Sequence, residues 1–130
     1  MRLTIPLLLA PLLLTSSVAL SGASRPHADE AVPPGAVRCI DPRRVTARRP
    51  ERPNSVIFEL AGGATFRNDL IGACPGVARS TKSSIVQTVV EGGSLCMNDS
   101  IRVFDPVEAR GVGVRAFPRC RLGAFTPIPR

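Results

Sequence analysis

The sequence contains no tryptophan and no tyrosine, and among its 130 residues there is one histidine. Proteins that bind single-stranded nucleic acid stack bases on aromatic side chains, and five phenylalanines supply few such surfaces, so nucleic acid is not a predicted partner. The histidine, His27, lies in a segment rich in proline, alanine and acidic residues, where it would be a poor metal ligand. It also lies outside the predicted domain, which disfavours nucleophilic catalysis. A chain of this length holds one domain, which excludes a two-domain dinucleotide-binding enzyme, a TIM barrel and a repeat array.

Long apolar runs are also scarce, and the one that exists opens the sequence. After the basic residue Arg2 comes a leucine-rich run over residues 3–14, and small residues follow as far as Ala23. A basic start, an apolar middle and a small-residue end are the three parts of a secretory signal, so we predict a signal peptide over residues 1–23. Cleavage after Ala19 is the alternative to cleavage after Ala23. A transmembrane anchor is disfavoured because two prolines interrupt the run and no basic stop sequence follows it.

The mature chain is predicted to begin with a flexible segment over residues 24–37, which contains three prolines and no apolar periodicity. Residues 38–130 then form the predicted domain. No later stretch is long and apolar enough to cross a bilayer, so we predict no transmembrane segment after signal removal. The predicted location is periplasmic or secreted.

The four cysteines, Cys39, Cys74, Cys96 and Cys120, all follow the predicted signal peptide. An even number of cysteines in a small exported domain indicates disulfides, and we predict two. No two cysteines have the C-x-x-C spacing of zinc sites and thioredoxin-like redox sites, so we predict no metal and no cofactor. Three pairings are open. We favour Cys39–Cys120 with Cys74–Cys96, which ties the ends of the domain together around a smaller inner loop.

Valine dominates the apolar residues after the leader, which favours strands over helices. Strand patterns cover residues 55–60, 84–91 and 101–104, and the glycines within residues 61–64 predict a hairpin after the first of these strands. We therefore predict an all-β fold, a small antiparallel barrel or sandwich of about six short strands with one or two helical turns, stapled by two disulfides.

Two segments are predicted to lie outside the strands. Residues 42–54 combine five arginines with three prolines, and we predict a solvated loop around a short extended piece near Val45. Asn68 is predicted to cap a helical turn over residues 69–73, which Pro75–Gly76 would end.

The sequence around the cysteines forms a recognisable set of motifs. The strings are RCID (38–41), SVIFEL (55–60), FRNDLIGACPGV (66–77), SLCMNDSIRVFD (94–105) and CRLGAFTPI (120–128). Together they resemble a family of small exported bacterial proteins of unknown function. The resemblance implies the fold and the disulfides but no mechanism. Asn98 stands where the family pattern has glycine, and asparagine is the next best residue for a left-handed turn. The basic stretch over residues 47–53 is longer than the pattern, so it is not a family property.

Positive charge is the strongest compositional signal. There are 17 Lys+Arg against 10 Asp+Glu, and removing Arg2 with the leader lowers the net charge from +7 to +6. A guanidinium presents a planar fork of donors that suits phosphate and carboxylate, which predicts anionic envelope polymers or lipid head groups as a partner. The alternative is that arginine reflects a GC-biased genome and helps solubility. The candidate anion-binding residues are Arg43, Arg44, Arg48, Arg49 and Arg52.

Four residues form a candidate polar site: Arg67, Asn68, Asp69 and Asp99. Asp99 is the acid that a hydrolytic mechanism would use first, together with a second carboxylate. The alternative is that Asn98 and Asp99 form a β-turn in which Asp99 accepts hydrogen bonds from local backbone N–H groups.

The leading functional prediction is an exported, non-enzymatic β module with a binding or structural role in the cell envelope and no catalytic residues. One alternative is an arginine-rich module that docks on anionic polymers or lipid head groups. Another is a small hydrolase that uses Asp99.

Overall fold

The computed structural model describes residues 31–130. The predicted signal peptide and the first half of the predicted flexible segment lie outside the described residues. The strands are β1 Cys39–Ile40, β2 Val45–Glu51, β3 Ser55–Leu60, β4 Thr65–Asp69, β5 Ile85–Val89, β6 Leu95–Cys96, β7 Ser100–Phe104, β8 Cys120–Arg121 and β9 Phe125–Pro127. The helices are α1 Pro75–Ala78 and α2 Pro106–Val112, with 3₁₀ turns at Pro42–Arg44 and Val114–Ala116. The all-β prediction is confirmed. The structure has nine strands where about six were predicted, and the additional ones include β1, β6 and β8, which are only two residues long.

The alternating apolar residues of β3 form the centre of the core. Val56 and Phe58 are fully buried and Leu60 is nearly so, as the strand pattern predicts. The hairpin predicted after β3 is present, and it turns through Gly62 and Gly63, both of which have positive φ angles. The left-handed conformation costs glycine little because it has no Cβ, which is why this tight turn carries two glycines.

The arginine- and proline-rich segment is a strand, so the prediction of a solvated loop was wrong. β2 pairs with β3 over Val45 to Glu51, with a bulge between Val45 and Ala47. β2 is one of the two end strands of the sheet β2–β3–β4–β9. At such an edge, a proline whose nitrogen faces away from the sheet removes no hydrogen bond between strands. Pro50 therefore fits this edge, and charged side chains on an edge remain solvated while they discourage pairing with other chains.

The segment after the hairpin also differs from the prediction. Asn68 does not cap a helix; it is a buried residue of β4. The helical turn lies later, and Pro75 begins it rather than ending one, because the first helical position tolerates the missing N–H of proline. The proline that suggests a helix stop is thus the N-terminal residue of α1.

The strand predicted over residues 84–91 is β5, which the structure limits to Ile85–Val89. β5 belongs to the second sheet, β5–β7–β8, and it is an end strand of that sheet. A third sheet consists of β1 and β6 alone.

The two larger sheets form an incompletely closed barrel around one core. On one side they meet where Ile71, just after β4, bridges to Arg121 of β8 through an N–H···O hydrogen bond of 2.9 Å. On the other side the end strands β2 and β5 approach each other without forming a ladder, which leaves a groove between them. Phe125 fills the interior and contacts the rings of Phe58 and Phe66 edge to face, at centroid distances of 5.4 and 6.5 Å.

Two disulfides are present, as predicted, but the predicted pairing was wrong. Cys39 bonds to Cys96, and Cys74 bonds to Cys120. The antiparallel pairing of β1 with β6 places Cys39 directly opposite Cys96, with the Cα atoms 4.0 Å apart. The N-terminal segment is joined to the C-terminal strand by a backbone bridge between Val37 and Phe125 instead of a disulfide.

The second bridge joins the N-terminus of α1 to β8, and both of its cysteines are buried. The sequence separations of the two bridges are 57 and 46 residues. Loops of this length correspond to about 4 kcal/mol of stabilisation each in the chain-entropy treatment of the unfolded state. The disulfides therefore supply a large share of the stability of a domain with so small a core.

Candidate groove between β2 and β5

The groove between the end strands is widest beside the last part of β2. Its volume there is about 610 Å³, and its lining consists of Arg48, Arg49, Pro50, Arg52, Ser80, Thr81, Lys82 and Ser84. A narrower part of about 270 Å³ continues along Val45 to Arg48 and along Ser84 to Val86. Arg48 and Ser84 line both parts, so the groove is continuous along the edge of β2.

The strand alternation of β2 separates its two adjacent arginines. Arg48 pairs with Phe58 and so lies on the core-facing side of the sheet, whereas Arg49 pairs with Ile57 on the outer side. Arg49 forms an ion pair there with Glu59, with an N–O distance of 3.1 Å. Arg48 is exposed and lines both parts of the groove, because the barrel is open beside β2.

The opposite wall is a loop of hydroxyl residues that stabilises its own conformation. The backbone N–H of Thr81 donates to Ser84 Oγ at 2.9 Å, and the hydroxyls of Thr81 and Ser83 lie 2.9 Å apart. Ser83 in turn donates to Asp105 at 3.2 Å. This compact loop presents Lys82, which is exposed, toward the groove.

The hydrogen bonds leave one oriented hydroxyl donor in the groove. Ser80 Oγ donates to Val77 O, and Thr81 Oγ1 must donate to Ser83 because Ser83 uses its own proton on Asp105. Ser84 Oγ only accepts, from Thr81 N–H, so its proton is available to a ligand.

The groove carries positive charge that nothing in the described chain neutralises. Within residues 31–130, Arg48, Arg52 and Lys82 make no ion pair and no hydrogen bond through their side chains. No carboxylate is among the lining residues of either part of the groove. The site therefore offers guanidinium, ammonium and hydroxyl donors, a set that complements oxyanions such as phosphate, sulfate or carboxylate.

The five predicted anion-binding arginines do not form one patch. Arg48, Arg49 and Arg52 line the wide part of the groove, and Arg49 is also ion-paired with Glu59. Arg43 and Arg44 lie in the 3₁₀ turn at the start of β2, and Arg44 donates to the carbonyl of Ala61 at 2.9 Å. An extended strand rises about 3.3 Å per residue, so the two ends of β2 are roughly 20 Å apart.

Two of the predicted polar-site residues, Arg67 and Asp69, meet on the outer face of β4. Arg67 Nε lies 2.9 Å from Asp69 Oδ1, and Arg67 also contacts Glu51 at 3.2 Å. Ser55 Oγ donates to Asp69 at 2.6 Å. Two hydrogen bonds lower the pKa of Asp69. The bond from Ser55 has the larger effect on this pKa and the bond from Arg67 the smaller one. The hydrogen bond with Asp69 raises the pKa of Arg67. The cluster is a partly exposed ion network, in which Glu51 Oε2 is buried and contacts Arg67 as an ion pair without a hydrogen bond.

The other two polar-site residues lie elsewhere. Asn68 is on the opposite face of β4, fully buried, and hydrogen-bonded to Gly123. Asp99 accepts the backbone N–H of Cys96 at 2.7 Å, and Asn98 beside it has φ 75°. This is the turn that the alternative interpretation of Asn98 and Asp99 predicts. Among residues 31–130 no group of three or more His, Cys, Asp or Glu is arranged to hold a metal ion.

Lys82 and Ser84 are site residues that the sequence analysis does not identify. A signal for them exists in the string STKSS over residues 80–84, in which a lysine stands among hydroxyl residues just before β5. The string acquires its meaning only when β5 is placed opposite β2. Nothing in its local pattern indicates which arginines it will face.

Comparisons with protein-family models, with curated proteins and with solved structures find no match to this chain. In the part of the chain that the structure describes, neither helix is long and apolar enough to cross a membrane. The two disulfides indicate an oxidising compartment.

Proposed function

We propose that this protein is an exported, non-enzymatic binding module that holds an anionic polymer of the cell envelope in the groove between β2 and β5. One observation carries the proposal: Arg48, Arg52 and Lys82 line a single concave surface without any carboxylate to neutralise them. The apolar, signal-like N-terminus and the disulfides support a periplasmic or secreted location.

The shape of the groove favours a chain-like ligand over a membrane surface. A bilayer presents a broad surface that contacts protruding residues first, whereas Arg48 and Ser84 lie along the length of a cleft. A linear polymer can enter such a cleft with its anionic groups against the guanidinium and ammonium groups. Nucleic acid is disfavoured because none of the lining residues is aromatic, so bases would find no side chain to stack on.

The competing explanation for the arginines is protection of an exposed sheet edge. Charged residues and proline on an edge strand prevent pairing with other chains, and β2 has both. Protection of the edge requires charged side chains along β2, but it does not require any particular residues on the opposite wall of the groove. Lys82 and the oriented hydroxyl of Ser84 lie on the opposite wall, where they contribute nothing to protecting β2. Their presence favours a ligand between the two walls.

The test compares two double variants that lose the same charge. R48S/R52S removes two arginines from the groove, and R115S/R119S removes two exposed arginines that do not line it. Binding to immobilised heparin, a linear anionic glycan, is measured at low and at physiological salt. We expect R48S/R52S to bind about tenfold or more weakly, since each lost charge-assisted hydrogen bond contributes about 1 kcal/mol or more. The control variant should stay within about twofold at physiological salt, where the Debye length is about 8 Å.

Equal weakening of both variants would refute the proposal, because it would show that heparin responds to net charge and not to the groove. Circular dichroism of each variant confirms that folding is intact. Folding should be unaffected, since the replaced side chains are exposed and make no hydrogen bond within the described residues.

A further inference from the structure

A second group of arginines lies at the other end of β2, against the β3–β4 turn. Arg44 Nη2 donates to Ala61 O at 2.9 Å, and Arg130 Nη2 donates to Gly62 O at 2.7 Å. Arg43 is exposed beside them. A guanidinium has five N–H donors, so one bond to a turn carbonyl orients Arg44 and Arg130 while leaving donors for a ligand. The one carboxylate close in sequence, Asp41, accepts the backbone N–H of Arg43 at 2.9 Å.

The groove extends from Arg52 to the residue next to Arg44, although Arg43 and Arg44 are not among its lining residues. Its narrow part reaches Val45, the residue after Arg44, and its wide part reaches Arg52. Between them the lining is uncharged apart from Arg48, with Val45, Ala47, Ile85 and Val86 among its residues. At about 3.3 Å per residue, an extended chain from Arg44 to Arg52 spans at most about 26 Å.

We propose that the ligand is a linear polyanion long enough to reach from Arg52 to Arg44, with Arg43 and Arg44 as a second anion subsite. This inference rests on the proposed function and specifies its ligand. Because the ends lie more than two Debye lengths apart at physiological salt (about 8 Å each), a small anion at one end does not sense the other. A chain that spans both ends gains from both, since the second contact forms within the same complex.

The spacing of the charges along the groove further defines the ligand. Arg48 stands midway between the two ends, next to apolar residues such as Val45 and Val86. Anionic groups set at intervals along a neutral backbone match such separated arginines better than an unbroken row of charges does, because a charge beside an apolar side chain would lose hydration without gaining a partner. A glycan with phosphate, sulfate or carboxylate substituents on some of its sugars has this pattern.

The experiment uses heparin fragments of two lengths as probes. A disaccharide is too short to contact both ends of the groove at once. A dodecasaccharide is long enough to contact both ends. Dissociation constants are measured by isothermal titration calorimetry at physiological salt for the mature wild-type protein and for R43S/R44S, R48S/R52S and the control R115S/R119S. Arg43→Glu is added because it leaves the bond between Arg44 and Ala61 in place, so a loss of binding there cannot come from a damaged turn.

We expect the wild type to bind the dodecasaccharide at least about tenfold more tightly than the disaccharide. R43S/R44S and Arg43→Glu should each weaken dodecasaccharide binding, the former by about tenfold, and leave disaccharide binding within about twofold. R48S/R52S should weaken both fragments. The control should change neither by more than about twofold.

The outcomes separate the two proposals. If R48S/R52S weakens both fragments while R43S/R44S and Arg43→Glu leave the dodecasaccharide unaffected, the groove binds anions but the second subsite is wrong. Should no groove variant differ from R115S/R119S, the proposed function fails together with its extension. If the wild type binds both fragments equally well, the ligand does not span β2.

Discussion

The side chain of Asn68 and the backbone of Gly123 exchange two hydrogen bonds inside the core. Asn68 Nδ2 donates to Gly123 O and Gly123 N–H donates to Asn68 Oδ1, each at 2.8 Å. The two residues are 55 positions apart, and Asn68 is fully buried. Gly123 lies in the bend between β8 and β9, where the backbone has no strand partner. The side-chain amide of Asn68 therefore satisfies both the N–H and the C=O of Gly123. Asn68 thus joins β4 to that bend as a backbone ladder would.

Replacing this amide with a hydrocarbon should be costly. In Asn68→Leu the side-chain volume is nearly kept, but the N–H and C=O of Gly123 lose their partners inside the core. Each buried unsatisfied group costs about 1 to 3 kcal/mol, so the free energy of unfolding should fall by about 2 to 4 kcal/mol. Urea unfolding with the disulfides intact measures it. The control Thr126→Val, on the exposed side of β9, should change stability by less than about 0.5 kcal/mol, and a similarly small effect for Asn68→Leu would contradict the assigned role.

The glycines at positions 123 and 111 should respond in opposite directions to alanine. A Cβ on Gly123 would collide with the carbonyl oxygen of Asp69, which is backbone and cannot move aside. We expect Gly123→Ala to lower the free energy of unfolding by about 1 to 3 kcal/mol. Gly111 lies in α2 with open space around the position of a Cβ, so Gly111→Ala should raise stability by up to about 1 kcal/mol. Thermal unfolding of both variants tests this, and the same sign for both would show that the packing around Gly123 is misassigned.

The two disulfides should differ in their access to reductant. Cys39 is exposed, whereas Cys74 and Cys120 are both at most 5% exposed. Because thiol–disulfide exchange requires contact with a sulfur atom, limited reductant should open Cys39–Cys96 in the folded protein and leave Cys74–Cys120 closed. Alkylation followed by peptide mass mapping identifies the opened pair. The same mapping without reductant should return these two pairs, and a Cys39–Cys120 peptide would contradict the structure.

Acid should weaken the outer-face ion network through Asp69. Its pKa is lowered in the folded protein by the hydrogen bonds from Ser55 and Arg67, so its contribution to stability is present above the ordinary aspartate pKa of about 3.9. That contribution is lost as the pH falls through the lower folded value. In Asp69→Asn the loss of stability between about pH 6 and about pH 2 should be smaller than in the wild type. The difference should stay below about 1 kcal/mol because the carboxylate is mostly exposed. Urea unfolding across this range measures it, and identical pH profiles would rule out the assignment.

Local patterns in the sequence predicted strand β3 and the hairpin that follows it. The residues of β3 alternate between the core and the outer sheet face over six contiguous positions, and the following glycines require a tight turn. The left-handed turn at Asn98 was likewise predictable, because asparagine tolerates a positive φ better than most residues. Each of these features depends on residues close together in the chain.

Two errors came from residues whose meaning depends on distant neighbours. Pro50 and its flanking arginines indicate a loop when taken alone, but β3 supplies the hydrogen-bonding partner that makes them an edge strand. Asn68 indicates a helix cap in isolation, whereas the backbone of Gly123 makes it a buried core residue.

The sequence by itself determined the all-β class, the presence of two disulfides and the excess of arginine, because composition, alternation and cysteine number do not depend on how the chain closes. Only the tertiary structure decided which cysteines meet, since the register of β1 against β6 sets Cys39 opposite Cys96 across 57 residues. It also decided that Lys82 faces Arg48 across an unclosed barrel. Strand pairing between distant segments depends on the packing of the whole core, and no short stretch of sequence encodes it.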